Sequence, residues 1–215
     1  MKVTTTTLQM LRPPAWTARP LPDEARLDRA DGVTPEYARF LYGLVGGPWH
    51  WTDRLEWTRQ EWAEELAVPG TEVWVLYGKG VPWGYVHLQP VVAEDGTHVE
   101  VRYFGLSEQA IGRGLGGRLL EHAITAAWSL AQRFDLPPVS RVWAHTCTLD
   151  GPAALANYQS RGSGKLPVPR LWQTTSPAAL SPAGPRTRTR KWRRSRSVPG
   201  WPPAVDNGRI TDADH

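Results

Sequence analysis

"AIGRGLGGRLLEHA" spans Ala110–Ala123, and the way its glycines are read decides the fold. Four of them, Gly112, Gly114, Gly116 and Gly117, fall within six positions, and a helix-like pattern of Leu, Leu, His and Ala follows. Glycine inside a helix costs roughly 0.5–1 kcal/mol relative to alanine. So many at the entrance to a helix point either to a tight strand-to-helix turn or to a backbone wrapped around a ligand. The first-turn N–H groups of a helix lack intrahelical partners and carry partial positive charge, so the second reading is a phosphate cradle, to which Arg113 adds a formal charge. G-x-x-x-x-G-K-[ST] does not occur here, which excludes a nucleoside triphosphatase loop. Gly112, Gly114 and Gly117 do fit G-x-G-x-x-G. The unit comes after an apparent hairpin, however, and no acidic residue ends a second strand about 20 positions on, so a dinucleotide fold is not indicated.

Around this loop the chain alternates strands and helices. "VTTTTLQML" (Val3–Leu11) reads as an edge strand, and the Pro-rich stretch Arg12–Gly32 as a loop. Thr34 and Pro35 open a helix through Val45, and "GGPWHW" (Gly46–Trp51) breaks it. Thr58 with Glu61 forms a capping box for a helix to Ala67. A hairpin follows over Thr71–Pro90, turning at Gly78-Lys79-Gly80, then a strand over His98–Leu106. Leu115–Arg133 is the longest helical pattern, Arg141–Thr146 a strand, and Gly151–Gly162 a short helix capped by Asp150 and closed by Gly162. This order predicts an α/β (α+β) fold: a mixed, mainly antiparallel sheet flanked by helices.

At Ser163 the composition changes. Ser163–His215 holds ten Lys and Arg against three Asp and no Glu, Phe or Tyr, whereas the preceding residues carry 15 basic against 18 acidic side chains. The net charge of +4 therefore belongs to the tail, and the body has no basic stripe. A Pro/Arg-rich segment without period cannot repay its ordering entropy, so residues 163–215 are expected to be disordered and 1–162 to form the folded domain. "RTRTRKWRRSRS" (Arg186–Ser197), with Trp192, is a second candidate function: a disordered arm on nucleic acid. The absence of a basic stripe on the body argues against it. One cysteine, Cys147, forms no intrachain disulfide and no metal framework, so no metal is expected. No apolar run of membrane-spanning length and no signal-like N-terminus occur, which points to a cytoplasmic protein without a membrane partner.

Two stretches together resemble the GNAT N-acetyltransferase superfamily. "YFGLSEQAIGRGLGGRLLEHA" resembles its motif A, in which a splayed strand leads into Q/R-x-x-G-x-G/A, the loop that holds the pyrophosphate of acetyl-CoA; Ile111 stands where the family has Gln or Arg. "TCTLDGPAALANYQSRG" resembles motif B, with Asp150, Ala153, Tyr158 and Gly162 in place. The likeness covers Val3–Gly162 and is nearest to uncharacterised bacterial members carrying a GGPWHW block. It implies acetyl-CoA as co-substrate and direct transfer to an amine of a small molecule or peptide, with a homodimer left open. It further implies cofactor contacts from Ile111, Gly112, Arg113, Gly114, Gly116 and Gly117 and from the main chain of Phe104 and Leu106. Tyr158 resembles the family's general acid.

The general base is expected at Glu100, mid-strand among apolar neighbours, where burial raises a carboxyl pKa; His145 is the runner-up. Trp49, His50, Trp51 and Asp53, between the first two helices, offer aromatic walls and charge for a cationic amine, although tryptophans there also serve as packing. After motif B the family continues with two more strands, which Ser163–Pro182 does not resemble. Two readings stand: a native tail, or a reading-frame shift that leaves an acyl-CoA-binding remnant with the Arg141–Thr146 strand as a bare edge.

Overall fold

The computed structural model describes residues 4–162 and Gln173–Thr175. Among them, seven strands form one sheet in the order β2-β3-β4-β5-β6-β1-β7. The strands are β1 (Thr5–Met10), β2 (Ala25–Arg29), β3 (Glu72–Gly78), β4 (Val81–Ala93), β5 (Gly96–Leu106), β6 (Val139–Cys147) and β7 (Gln173–Thr175). Neighbours pair antiparallel except β5 and β6, which run parallel. The helices are α1 (Pro35–Gly46), α2 (Arg59–Leu66), α3 (Leu115–Trp128) and α4 (Ala154–Gly162).

The two helix starts read from the sequence are built as expected. Thr34 accepts from the Tyr37 N–H with Pro35 in the first turn, and Thr58 and Glu61 exchange both capping bonds. Each sheet face buries its own core. On one, α3 and α4 bring Leu115, Leu119, Ile124 and Tyr158 against Val99, Val101, Val142 and Ala144. On the other, Leu41, Tyr42 and Val45 of α1 and Trp62 of α2 pack on Val75, Tyr85 and Tyr103.

Several expectations are corrected. β1 is not an edge: it lies between β6 and β7, with Leu8 and Met10 fully buried. The stretch Arg12–Gly32 contains β2, a short strand on the outer side of β3 that alternates charge and needs only one partner. α3 ends at Trp128 rather than Arg133, because the Ser129 hydroxyl donates to the Thr125 and Ala126 carbonyls and a 3-10 turn follows. Asp150 does not cap α4; its Oδ2 accepts from the Cys147 N–H and the Thr146 hydroxyl and so closes the turn after β6. β6 is not bare, since β1 covers its outer side along six registered pairs. Within the expected tail, Gln173–Thr175 pairs with Gln9, Leu8 and Thr7. The remainder of that tail, including Arg186–Ser197, lies outside the described residues.

Candidate active site

The parallel ladder between β5 and β6 runs only from Thr97↔Val139 to Val101↔Ala144. Beyond it the strands part, and the edge of Arg102–Leu106 that faces β6 takes no partner from it. Antiparallel pairing with β4 continues to Leu106 on the other side. Phe104 and Leu106, expected to contact a cofactor through their main chains, both lie on this splayed segment. An extended ligand can pair with such an edge as a strand would.

The glycine loop sits where β5 leads into α3. Gly112 has φ +80° and Gly114, the N-cap of α3, φ +71°. A Cβ on either would meet nothing within 4 Å, so backbone conformation rather than crowding requires glycine there. The Ile111 N–H donates to the Glu108 carbonyl, whereas those of Gly112, Arg113 and Gly114 have no backbone partner among the described residues. At the head of a 14-residue helix, these groups fit an anion.

The loop's remaining positions serve other ends. Arg113 pairs with Glu24 at 3.1 Å and lies 4.1 Å over the Trp83 ring, so its charge is already engaged. Gly116 faces Leu106 and the Asn157 amide of α4. At Gly117 a Cβ would overlap the Arg161 guanidinium; this glycine admits α4 against α3. Arg161 and Arg19 both hold Glu121, and neither arginine was legible as part of the loop's support.

Tyr158 stands on the α3 side of the opening, buried at 4% exposure, with its ring 5.8 Å from Phe104. Burial pushes its hydroxyl pKa up, so the phenol is protonated at neutral pH.

Glu100 faces the α1–α2 side. Its Oε1 lies 3.1 Å from His145 Nε2, across the opening's first residues, and its Oε2 3.1 Å from Arg102 Nη1. Burial alone would raise its pKa, as expected from the sequence, but the His145 hydrogen bond and the Arg102 charge outweigh burial and hold it below the ordinary carboxylate value. Glu100 is therefore ionised, and the exposed partner, His145, has Nε2 turned toward it. Arg102 also grips Glu65 of α2, which hydrogen-bonds the Tyr103 hydroxyl. Glu65 and Arg102 went unread because one is among three glutamates of a short helix and the other sits at a bulge.

Of the four residues between α1 and α2, Trp51 packs into the core, on Gly46 and 5.4 Å from the Tyr42 ring. Asp53 accepts from the Tyr42 hydroxyl and pairs with Arg54, its carboxylate largely exposed. His50 is exposed, at φ +59° after the 3-10 turn Gly47–Trp49. Trp49 reaches across to Gly151, which follows β6: a Cβ there would stand 3.1 Å from its indole.

The model of the family described as Acetyltransferase (GNAT) family matches residues 36–163. A GCN5-related N-acetyltransferase from Sphaerobacter thermophilus superposes with a TM-score of 0.52 at 13% identity, over 80% of this chain and 48% of that one. A tandem GNAT protein from the clavulanic acid biosynthesis pathway gives 0.50 at 16%, over 71% and 47%. An aminoglycoside acetyltransferase from an uncultured soil metagenomic sample gives 0.51 at 12%, over 66% and 89%. The chain thus spans about half the length of the first two, and at these identities the likeness concerns the fold. No curated protein matches the chain. With the splayed parallel pair, the glycine loop heading α3 and the family match over residues 36–163, the chain belongs to the GNAT acetyltransferase family.

Proposed function

We propose that this protein is an N-acetyltransferase that moves an acetyl group from acetyl-CoA directly to a primary amine. The observation that carries the reading is the opening between β5 and β6, with a protonated phenol on one sheet face and a carboxylate–imidazole pair on the other. The pyrophosphate would rest on the N–H groups of Gly112–Leu115, and the pantetheine would pair with the free edge of Arg102–Leu106. His145 takes a proton from the ammonium form of the acceptor, with Glu100 orienting the ring; this recasts Glu100 from base to partner. The amine nitrogen then attacks the thioester carbon, the C–S bond breaks as Tyr158 donates its proton to the departing sulfur, and the proton shed by the new amide nitrogen restores the phenol. Trp49, His50 and Asp53 border the side from which the acceptor enters.

Calorimetry with acetyl-CoA, followed by thiol release across a panel of primary amines, tests the reading. Binding together with amine-dependent release of one CoA per acetylated amine is expected; absence of binding would sink it.

A further inference from the structure

β5 carries a bulge whose extra residue is Arg102: His87 faces Tyr103 and Leu88 faces Val101 across β4, leaving Arg102 opposite nothing. Val101 packs in the α3-side core and Tyr103, two positions on, in the α1–α2 core, so the facing of the strand reverses at the bulge. Arg102, two positions from Glu100, shares its face by simple alternation, and the bulge brings Tyr103 to that face as well. There it holds Glu65 through Nε and Nη2 and Glu100 through Nη1. Both carboxylates are buried, Glu65 at 9% and Glu100 at 6% exposure. The chain Glu65–Arg102–Glu100–His145 thus runs from α2 through β5 to β6 and ends where the two strands part.

Resting on the acyl-transfer reading above, we propose that Arg102 is a positioning residue: it anchors the Glu100 carboxylate against His145 Nε2, so that Nε2 carries the hydrogen and Nδ1 is left as the base that meets the amine. A guanidinium suits this task because its fork serves two acceptors at once, which an ammonium does with less geometric control. Glu100 of β5 faces His145 directly, and the charged and titratable groups joined to it through Arg102 and Tyr103 are Glu65 of α2, Arg54 of the α1–α2 connection and the buried His87 of β4. β1 on the other flank, Thr5–Met10, has no titratable side chain.

Histidine titrations followed by NMR in the full chain test the proposal, with His145 assigned by His145→Gln. Removing the cation leaves the Glu100 charge to act unopposed on the imidazole, so Arg102→Gln should move the His145 titration up by roughly half a unit or more. Glu65→Gln frees the Arg102 charge and should move it down, as should Glu100→Gln, whereas Arg102→Lys should leave it nearly in place. The acid limb of the kcat/KM profile should follow the same signs. An unmoved His145 in Arg102→Gln, or a downward one, would reduce Arg102 to a structural tie between α2 and β5. If Arg102→Gln does not fold, Glu65→Gln decides: a downward move supports the relay and no move overturns it. Titrations that shift as expected in a protein that acetylates no amine would overturn the transfer reading and leave the relay standing.

Discussion

Trp49, on the turn after α1, packs its indole against Gly151, the residue that follows the turn closing β6. The contact joins the connection between α1 and α2 to the segment that follows β6, and in the proposed reaction this tryptophan borders the acceptor's entry. Trp49→Ala should raise the KM for the amine about tenfold, near 1.4 kcal/mol, and leave the affinity for acetyl-CoA within about twofold. Steady-state kinetics at saturating acetyl-CoA, with calorimetry for the cofactor, reads both. Equal loss in the two would mean that the indole supports the pantetheine instead.

Gly114 is required by its backbone conformation, since no atom stands within 4 Å of a Cβ there and φ is +71°. A left-handed position costs an ordinary L-residue roughly 1–2 kcal/mol, more if β-branched and less for asparagine. Gly114→Val should abolish detectable acetyl-CoA binding by calorimetry, and Gly114→Asn should weaken it far less. If the two are equally benign, the loop does not hold the pyrophosphate.

Tyr158 tests the acid. The phenylalanine variant keeps the ring on Phe104 and removes the hydroxyl with its proton, so kcat should fall roughly 10²-fold with little change in acetyl-CoA affinity. Retained turnover, with the chemical step shown to be rate-limiting, would remove Tyr158 from the mechanism.

Those residues were legible to different degrees, for physical reasons. The loop and Tyr158 stand in local runs, where turn chemistry and spacing speak directly. Glu100 and His145 are 45 positions apart, and only the parallel register of β5 on β6 brings them together. Burial, visible in the apolar neighbours, points the carboxyl pKa upward; the His145 hydrogen bond that reverses it depends on the register of β6 on β5, and the Arg102 charge on the same face adds to it. β2 was missed since "ARLDR", placed among prolines, presents no apolar face long enough to mark a strand. Thr34, Thr58 and Glu61 were read correctly, because a cap depends on residues within one turn.

Glu121 gives the fold a pH dependence. Burial would raise its carboxyl pKa, but the hydrogen bonds and charge of Arg19, with Arg161 behind them, hold it below the unfolded value of 4.5. Stability from this group is therefore present above about pH 4.5 and is lost as pH falls through the lower folded value. Glu121→Gln should melt lower than the parent at pH 7, by roughly 1–3 kcal/mol for charged hydrogen bonds removed. Thermal scans should show the gap closing below about pH 4. A gap that widens in acid would contradict the sign.

The outer side of β6 depends on β1. Thr5–Met10 pairs with it over six positions, and Leu8 and Met10 are inserted fully into the α3-side core, worth roughly 3–6 kcal/mol together at the usual cost of exposing such side chains. That is a large part of a typical domain's margin of about 5–15 kcal/mol. β7, by contrast, adds three residues to the far side of β1. Deleting residues 1–11 should therefore bare β6, lower the melting temperature by roughly 10 °C or more, and drive self-association through the exposed strand. Truncation after Gly162 should cost much less and leave a protein that still gains stability from acetyl-CoA. Melting and size-exclusion profiles of the two deletions beside the full chain make the comparison. A C-terminal truncation that aggregates while the N-terminal one stays monomeric would show that the residues after Gly162, and not β1, complete the sheet.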